Sequence, residues 1–376
     1  MLTILMLNHE FPPVGGGAAP VTFQLCRHLV RAGHRVDVVT MHYGDLPRFE
    51  TLDGINIYRT PAIRKRPNIC YTHEMATYLP GAIRRTLRLA KKQQYDIIHC
   101  HFIIPGGPLG LTVSKITKIP YIVTSHGSDV PGYNPDRFQL QHKFTRPLLK
   151  AVCKNAKMIT CPSIYLKNLI SDNIGDYEIT HIPNGIDLEN FKLDLTRPKG
   201  NIILATGRLL KRKGFHTLIE AVRNIELPFE VHIAGDGPYR NQLQKLADGS
   251  KTKIVFHGWL KQGSQELLSL YEKATIYVLV SARENASISL LEAMAARCVT
   301  ITSNVTGCPE TVGEAGFSIA LDDADKLRGI LIKLSEDKEL IKQYSQKAYD
   351  RVVRNFSWDK IAEQYVQAYS DAIKMC

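Results

Sequence analysis

The sequence predicts an α/β protein made of two Rossmann-like domains, each a doubly wound parallel sheet with helices on both faces. The chain has 376 residues, which is more than twice the commonest length of a single domain. Short β-branched runs alternate with helical stretches along nearly all of it, a pattern typical of parallel sheets. A polar segment rich in turn residues interrupts this alternation near the middle and predicts the junction between the two domains.

The N-terminal half begins with a β-branched strand and continues as strand and helix in turn. Its predicted strands cover residues 3–7, 35–40, 55–59, 96–99, 121–124, 158–160 and 179–182. Its main predicted helices cover residues 20–31, 73–92, 139–154 and 163–170. Because the strands are short and apolar and alternate with helices, we expect a parallel sheet that is buried on both faces.

The C-terminal half repeats this architecture after a linker that begins at Pro183-Asn184-Gly185 and ends near Gly200. Its predicted strands cover residues 201–205, 230–233, 253–256, 276–279 and 299–302. Beyond residue 322 the chain is predicted to be helical, and the last helix begins near Trp358. We therefore predict domains at residues 1–192 and 193–356, followed by a C-terminal helix at residues 357–376.

The composition is that of an ordinary globular protein, with 44% hydrophobic and 22% charged residues, which excludes a largely disordered chain. Eight cysteines are scattered and form no C-x-x-C pair. This argues against a zinc ribbon or a disulfide scaffold and favours a reducing compartment. We find no signal-peptide pattern and no apolar run of about 18 residues, the length that spans a bilayer. We expect a cytoplasmic protein that is peripheral at the inner face of the cell membrane.

The net charge of +12 indicates an anionic partner. Residues 1–190 hold 22 Lys and Arg against 14 Asp and Glu, so most of the excess lies in the N-terminal half. The densest basic cluster consists of Arg64, Lys65, Arg66, Arg84, Arg85, Arg88, Lys91 and Lys92. A solvated helix face and a surface for anionic lipid headgroups are both open interpretations. Nucleic acid is disfavoured, because no recognition motif or series of stacking aromatics accompanies the charge.

Ligands of open parallel sheets bind at the carboxyl ends of the strands, so the residues just after each strand are the candidates for chemistry. In the N-terminal half, glycines 15–17 follow the first strand at the start of a helix. They do not fit the dinucleotide pattern G-x-G-x-x-G, because Pro20 takes the place of the third glycine, and a tight turn is the alternative reason for them. After the strand at 121–124, His126 and Asp129 flank a flexible glycine. An imidazole and a carboxylate are therefore expected at this strand end.

In the C-terminal half, the loop after the strand at 201–205 carries Arg208 and Lys213 and leads into a helix, an arrangement that suits a phosphate ligand. A glycine-rich turn, Gly235-Asp236-Gly237, follows the next strand. After the strand at 276–279, Glu284 lies in the loop and Glu292 lies in the following helix among apolar residues. A carboxylate in such surroundings needs a partner, and the paired hydroxyls of a ribose are one.

Together these motifs resemble glycosyltransferase family 4, retaining nucleotide-sugar enzymes of the GT-B architecture with two facing Rossmann-like domains. The matching segments are Phe11-Pro12-Pro13 with glycines 15–17, Gly33-His34, Asp96-Ile97-Ile98-His99-Cys100-His101, His126-Gly127-Ser128-Asp129, Ile182-Pro183-Asn184-Gly185-Ile186-Asp187, Gly207-Arg208-Leu209 with Lys213-Gly214, Gly235-Asp236-Gly237-Pro238, and Glu284 with Glu292-Ala293-Met294-Ala295. Their order and spacing cover nearly the full chain, which makes the resemblance specific. In this architecture the C-terminal helix is expected to pack back on the N-terminal domain.

The resemblance implies a role for each motif residue. It makes His126 and Glu284 the catalytic contacts to the transferred sugar and Glu292 the ligand of the donor ribose. The implied diphosphate ligands are Arg208, Lys213, Gly16 and Gly17. The implied lining of the donor pocket is Gly207, Gly235, Asn285, Ala286, Ser287 and Ile288. The implied acceptor side consists of His101, Asp129, Gly106 and Gly107.

The implied reaction moves a hexose or N-acetylhexosamine from a UDP- or GDP-sugar, with UDP preferred, to a lipid-linked or cell-envelope glycan. Retention is expected to follow same-face attack, so no carboxylate nucleophile is assigned. Cationic side chains are expected to neutralise the departing diphosphate, so neither a metal nor another cofactor is required. The single Asp-x-Asp sequence, at Asp323 and Asp325, is predicted to cap a helix.

The sequence departs from the family pattern at four positions. Asn285 and Ser287 stand where glycines commonly follow the first glutamate, and Arg297 and Val299 replace a glycine and a proline. We expect these side chains to narrow the donor pocket or to add a contact to it. Two alternatives to a transferase stay open. One is an NAD-dependent oxidoreductase, which the failed glycine pattern disfavours, and the other is a non-catalytic binder of anionic surfaces with a degenerate donor site.

Overall fold

The structure, a computed structural model, describes residues 1–134, 139–189, 191 and 198–375, with the backbone alone for residues 139–143. The described residues form two compact units. The N-terminal unit comprises Met1–Pro183 and Trp358–Cys376, and the C-terminal unit comprises Asn184–Ser357. The division therefore falls earlier than the predicted boundary after residue 192, and that residue lies outside the described part of the chain.

The N-terminal unit is built on a sheet whose described strands run parallel except at one edge. They are β1 (Thr3–Leu7), β2 (Arg35–Met41), β3 (Phe49–Leu52), β4 (Ile55–Thr60), β5 (Ile97–His101), β6 (Tyr121–Thr124), β7 (Met158–Cys161) and β8 (Ile179–His181). Their order is β3-β4-β2-β1-β5-β6-β7-β8, and β3 pairs antiparallel with β4. In the centre, Ile4 of β1 pairs with Val36 of β2 on one side and with Ile97 of β5 on the other.

Helices connect these strands and cover both faces of the sheet. They are α1 (Ala18–Arg31), α2 (Thr72–Lys92), α3 (Gly107–Thr117), α4 (Gln139–Asn155) and α5 (Ile164–Asn173). The chain moves from β1 to β2 in one direction across the sheet and from β4 through β5 and β6 to β7 in the other. Right-handed crossovers therefore place α1 on one face and α2, α3 and α4 on the opposite face. On that face α3 packs against both α2 and α4.

The C-terminal unit is a second parallel sheet with helices around it. Its described strands are β9 (Ile202–Thr206), β10 (Glu230–Ala234), β11 (Ile254–Gly258), β12 (Ile276–Leu279), β13 (Val299–Ser303) and β14 (Gly316–Ile319). Its helices are α6 (Phe215–Val222), α7 (Arg240–Ala247), α8 (Gln265–Lys273), α9 (Ile288–Ala295), α10 (Cys308–Val312), α11 (Ala324–Glu336) and α12 (Lys338–Asn355). The strand order is β11-β10-β9-β12-β13-β14. The order reverses between β9 and β12, and ligands of such sheets bind at this kind of reversal.

The last helix, α13 (Trp358–Lys374), belongs to the N-terminal unit and packs against α1. Its apolar side is buried and includes Trp358, Ile361, Tyr365 and Tyr369. The hydroxyl of Tyr369 lies 2.8 Å from Nδ1 of His99 in β5. The end of the chain thus completes the core of the unit in which the chain begins.

The predicted basic helix is α2, and its cations differ in their surroundings. Arg84, Arg88, Lys91 and Lys92 are exposed, whereas the guanidinium of Arg85 lies 5.9 Å from the centre of the Tyr58 ring. Neither α2 nor any other helix in the described part of the chain is both long enough and apolar enough to cross a membrane.

The structure confirms the predicted fold class and its strands, with ends that differ by one or two residues. Two observed strands escape prediction because they lack an apolar run. β3 is largely exposed, and β14 begins with Gly316. The helix cap at Asp323 is confirmed, since its carboxylate accepts a hydrogen bond of 2.8 Å from the amide of Lys326.

Candidate active site

Two glycine-rich loops at the carboxyl ends of β9 and β10 touch through their backbones. The amide of Gly207 donates to the carbonyl of Ala234 at 3.0 Å. A Cβ on Gly235 would lie only 1.8 Å from the carbonyl oxygen of Gly207. Only glycine permits this approach, so the loop that carries Arg208 has a fixed path.

The two predicted cationic ligands of a diphosphate have different surroundings. The side chain of Arg208 is exposed and makes no hydrogen bond or ion pair to another described residue. Lys213 forms an ion pair with Glu284, and the two side chains are only 19% and 12% exposed. Arg208 therefore offers a charge that is free for a ligand, whereas the charge of Lys213 is already offset by a carboxylate.

The loop after β12 is held by close backbone contacts on two sides. Gly214 has a φ of 73°, and a Cβ on it would lie 2.1 Å from the carbonyl oxygen of Val280. On the other side, the amide of Gly307 donates to the carbonyl of Glu284 at 3.0 Å, and a Cβ there would lie 1.6 Å from the carbonyl oxygen of Asn285. The carboxylate of Glu284 is therefore presented from a rigid loop.

Glu292 lies inside α9 and is largely buried. Its Oε2 accepts a hydrogen bond from the hydroxyl of Tyr271 at 2.9 Å, and its Oε1 accepts one from the amide of Gln262 at 3.2 Å. Burial raises the pKa of the Glu292 carboxyl above its ordinary value, and these two hydrogen bonds oppose the shift. Each carboxylate oxygen has two acceptor sites. Each oxygen of the Glu292 carboxylate can therefore accept one more hydrogen bond, for example from a hydroxyl of a ligand.

Four residues of the predicted lining of the donor pocket, Asn285, Ala286, Ser287 and Ile288, lead from the loop after β12 into the first turn of α9. Ala286, Ser287 and Ile288 are half-buried, and Asn285 and Gly235 are buried. The carbonyl of Ala286 accepts a hydrogen bond of 3.1 Å from the side-chain amide of Asn184. The first amides of α9 have no carbonyl partners within the helix, and its dipole favours an anion at this end.

Two departures from the family pattern take part in packing. Arg297 has a φ of 58°, the left-handed region that favours glycine. Its guanidinium lies 4.6 Å from the centre of the Tyr349 ring in α12. Val299 begins β13 and is fully buried. The expectation that Arg297 and Val299 narrow the donor pocket is therefore corrected, because one packs against α12 and the other fills the sheet.

In the N-terminal unit, the carboxylate of Asp129 organises the loop after β6. It accepts hydrogen bonds from the hydroxyl of Ser125 at 3.1 Å and from the amides of His126 at 3.2 Å and Gly127 at 3.0 Å. A fourth comes from the amide of Ile103 at 2.6 Å. Burial raises the pKa of Asp129, and these bonds oppose the shift. The buried Asp129 carboxylate therefore holds the backbone of His126, and its assignment to the acceptor side stays a prediction.

The other three predicted acceptor-side residues are buried as well. Nδ1 of His101 lies 2.9 Å from Nε2 of His126, and His101 is 1% exposed. A Cβ on Gly106 would lie 2.3 Å from the carbonyl oxygen of His101, and one on Gly107 would lie 2.4 Å from the side chain of Val152. These close contacts let the turn after β5 pack tightly, and the assignment of the three residues to the acceptor side stays a prediction.

The glycine loop after β1 is partly occupied by a carboxylate. The amide of Gly16 donates to Oε2 of Glu10 at 2.9 Å. Oε1 of Glu10 accepts from Arg64 at 3.2 Å, and the Arg64 side chain is fully buried. Gly17 has open space around the position of a Cβ. Of the two glycines predicted to bind the diphosphate, Gly16 thus already donates its amide hydrogen to Glu10. Arg64 was predicted to be part of a basic surface cluster, and this prediction is wrong, because its side chain is buried against Glu10.

Two aromatic residues lie at strand ends where no sequence motif predicts them. Phe102 follows β5 with a φ of 68°, unusual for a bulky residue, and its ring centre lies 4.9 Å from that of His9 and 4.8 Å from that of His126. Trp259 follows β11 and is 65% exposed, in the loop that also carries Gln262. Their only sequence signal is an aromatic side chain directly after a strand.

Four histidines lie at or near these strand ends, and all are neutral at physiological pH. Burial lowers the pKa of His9 and of His126 to about 4, and a nearby carboxylate, Glu10, opposes the shift in both. Burial likewise lowers the pKa of His99 to about 3, and it lowers that of His101 well below its ordinary value. The half-buried His126 can therefore act as a neutral hydrogen-bonding group.

Two family models match the chain. The model described as Glycosyltransferase Family 4 matches residues 15–190, and the model described as Glycosyl transferases group 1 matches residues 188–351. The first covers most of the N-terminal unit, and the second covers most of the C-terminal unit.

Individual proteins match over nearly their full lengths. The chain is 28% identical over 403 residues to an uncharacterized glycosyltransferase of Methanocaldococcus jannaschii, covering 100% of this chain and 99% of the relative. It is 24% identical over 387 residues to the alpha-monoglucosyldiacylglycerol synthase of Streptococcus pneumoniae, covering 97% and 85%.

Solved structures give the same fold. The sucrose-phosphate synthase of Thermosynechococcus elongatus superposes with a TM-score of 0.82 at 21% identity, covering 100% of both chains. Anabaena HepE, solved in complex with UDP and glucose, superposes with a TM-score of 0.75 at 18% identity, covering 98% of this chain and 100% of that one. These likenesses show that each unit has the architecture found in GT-B structures.

The buried histidines predict that the N-terminal unit is sensitive to acid. Their pKa values in the folded chain lie below the unfolded value of about 6.5, so the unfolded chain binds more protons, and stability present above that pH is lost as the pH falls towards 4. His9 and His126 should each account for about 1.4 kcal/mol of this loss per pH unit.

Urea unfolding at several pH values above and below the unfolded pKa, with hydrogen exchange to separate the two units, measures this loss. The variant His126→Gln is the control, and it should show a shallower decline because it removes one titrating group. A wild-type N-terminal unit that keeps its full stability down to about pH 5 would show that these imidazoles are not held neutral by burial.

Proposed function

The chain belongs to the glycosyltransferases that these two family models describe, and we propose that it is a retaining enzyme that uses a nucleoside diphosphate sugar. The transferred group is a hexose or N-acetylhexosamine. The observation that carries the proposal is a set of three charged groups: Arg208 and Lys213, which follow β9, and Glu292 in α9, the helix that follows β12. Two cations suit a diphosphate, and a buried carboxylate with open acceptor sites suits the hydroxyls of a ribose.

The proposed chemistry is the departure of the nucleoside diphosphate from the anomeric carbon. As that bond breaks, positive charge grows on the sugar and negative charge grows on the leaving phosphate. Arg208 can hold two phosphate oxygens with its planar guanidinium, and the ammonium of Lys213, whose charge is partly offset by Glu284, adds a second cationic donor. The amides at the start of α9 donate to the same anion. Because close backbone contacts fix the loops that carry these groups, they stabilise the transition state with little reorganisation of the backbone, and no metal is required.

The ion pair between Lys213 and Glu284 couples recognition of the phosphate to recognition of the sugar. Its carboxylate orients the ammonium of Lys213, and its remaining acceptor sites are available for a sugar hydroxyl. A carboxylate near the sugar also stabilises the positive charge that develops there. We therefore assign Glu284 to the transferred sugar and Lys213 to the diphosphate.

Retention is proposed to follow attack from the face that the diphosphate leaves. The acceptor hydroxyl bonds to the anomeric carbon, and its proton passes to an oxygen of the departing phosphate. The neutral imidazole of His126 forms a hydrogen bond with a sugar hydroxyl. Since the leaving group takes the proton, this mechanism needs no carboxylate nucleophile.

The loop after β11 is proposed to hold the nucleobase. Gln262 in this loop donates to Glu292, the proposed ribose ligand, so a base on that ribose would lie close to the loop. The exposed indole of Trp259 offers it a flat apolar surface. Uridine is the proposed nucleoside, and the similarity to Anabaena HepE, solved with UDP, supports this choice.

The acceptor is proposed to be a lipid-linked or cell-envelope glycan at an anionic membrane surface. α2 exposes four cations, and α3 and α4 on the same face of the sheet expose Ile116 and Phe144. Basic and apolar side chains on one surface are typical of attachment to anionic membranes. The similarity to a streptococcal protein named as a glycolipid synthase supports a lipid acceptor.

Family membership favours the transferase over the NAD-dependent oxidoreductase. A non-catalytic binder of anionic surfaces would need the basic face of α2 but neither Arg208 nor Glu292. Binding of a nucleotide through those two residues therefore separates the transferase from the binder.

Removing the guanidinium of Arg208 is expected to weaken nucleotide binding. Arg208→Ala should lower the affinity for UDP roughly tenfold to a hundredfold, because a charge-assisted hydrogen bond contributes about 1.5–3 kcal/mol. Lys211, exposed in the same loop, provides the matched control, and Lys211→Ala should leave the affinity nearly unchanged. Isothermal titration of UDP, GDP, ADP and NAD in the presence of EDTA measures these affinities.

The same titration separates the two parts of the donor. Glu292→Ala should weaken binding of UDP but not of inorganic pyrophosphate, since the carboxylate is assigned to the ribose. Equal UDP affinity in the wild-type, Arg208→Ala and Glu292→Ala chains would contradict the proposed donor site.

Membrane attachment is expected to depend on the position of the positive charges. Changing Arg84, Arg88, Lys91 and Lys92 to Gln should abolish flotation with vesicles of anionic phospholipid, with each removed cation costing about 1 kcal/mol. The matched control changes four exposed lysines of the C-terminal unit, Lys326, Lys333, Lys338 and Lys342, which alters the net charge equally. Flotation that is equal for both variants, or equal on neutral vesicles, would refute the attachment through α2.

A further inference from the structure

The imidazole of His101 has contacts that its motif does not explain. It is buried at the end of β5, beside His126 at the end of β6. Its Nδ1 lies 2.9 Å from Nε2 of His126, and its Nε2 lies 3.0 Å from the sulfur of Met6 in β1. Both ring nitrogens of His101 are therefore engaged, one with another imidazole and one with a thioether.

These two contacts determine which nitrogens carry hydrogen. A nitrogen lone pair that faced the sulfur of Met6 would be repelled, whereas an N–H can donate to it weakly. Nε2 of His101 therefore carries the hydrogen. Burial keeps the ring of His101 neutral, since its pKa lies well below the ordinary value, so Nδ1 is an acceptor. The hydrogen between the two rings then belongs to Nε2 of His126.

A neighbouring histidine does not compete for this hydrogen bond. The ring of His99 stacks on that of His101, with centres 4.3 Å apart. Its Nδ1 lies 2.8 Å from the hydroxyl of Tyr369, and its Nε2 lies 2.7 Å from the hydroxyl of Thr124. Because both nitrogens of His99 have partners of their own, Nδ1 of His101 is left to His126.

We propose that His101 is a positioning residue that fixes the tautomer of His126, with the hydrogen on Nε2, and that the ring meets the transferred sugar in this form. The sugar contact rests on the proposed function, but the tautomer does not. In this form Nδ1 can receive a hydrogen from a hydroxyl and cannot donate one. Asp129 holds the backbone of the same residue, so separate groups set the position of the ring and the placement of its hydrogen.

Two replacements of similar size test the hydrogen bond. His101→Asn keeps a carbonyl oxygen near the position of Nδ1, which can accept the hydrogen of His126. His101→Leu has the same number of side-chain heavy atoms, branched in the same way, and no acceptor. Both variants lose the same ring, so a difference between them reports the hydrogen bond and not the cavity.

Long-range ¹H–¹⁵N spectra of the full chain labelled at histidine distinguish protonated from unprotonated ring nitrogens, and the variant His126→Gln assigns the signals. We expect the Nε2–H form of His126 in the wild type and in His101→Asn, and a mixture of tautomers in His101→Leu. The Nδ1–H form in the wild type, or an unchanged form in His101→Leu, would overturn the proposal. If His101→Leu fails to fold, the wild-type spectrum still decides the tautomer.

Sugar transfer gives the second readout. The kcat of His101→Leu should fall roughly tenfold to a hundredfold with little change in KM for the nucleotide sugar, and His101→Asn should restore most of it. A kcat of His101→Leu equal to that of the wild type would overturn the positioning role. A wild-type chain that binds no nucleotide and transfers no sugar would refute the proposed function, while the spectra would still decide the tautomer.

Discussion

Close backbone contact at the carboxyl ends of the strands is the constraint on which the candidate site residues of both units depend. Gly235 approaches the carbonyl of Gly207, and Gly307 approaches that of Asn285, at distances that leave no room for a side chain. In the N-terminal unit, Gly106 approaches the carbonyl of His101 in the same way. Each contact fixes a loop that carries a polar group. Charges fixed in this way can stabilise a transition state without reorganisation.

Burial is the second constraint, and its effect depends on how many internal partners a polar group has. The carboxylate of Asp129 accepts four hydrogen bonds from its surroundings and is enclosed, so it positions the loop of His126. The carboxylate of Glu292 accepts two and keeps acceptor sites for a ligand. The histidines lose their charge on burial, which makes them neutral hydrogen-bonding groups. The number of hydrogen bonds that a carboxylate accepts from the protein thus distinguishes Asp129, which positions a loop, from Glu292, which is proposed to bind a ligand.

Much of the fold follows from local patterns, which the sequence displays directly. The alternation of apolar strands with helices predicts both sheets, and strand-end motifs predict the loops that carry Arg208, Glu284 and His126. Local sequence patterns do not predict contacts between segments that are far apart in the chain. The bond from Gly16 to Glu10 depends on Arg64, which arrives from another part of the chain. The polar edge strand β3 shows no apolar run.

Retention of configuration is the central chemical claim, and the first sugar that the chain releases into water tests it directly. ¹H NMR during hydrolysis of UDP-glucose and UDP-N-acetylglucosamine without an acceptor follows the anomeric proton before mutarotation. Same-face attack predicts that the released sugar first appears with the anomeric configuration of the donor. First appearance of the opposite anomer would show inversion and would contradict the mechanism.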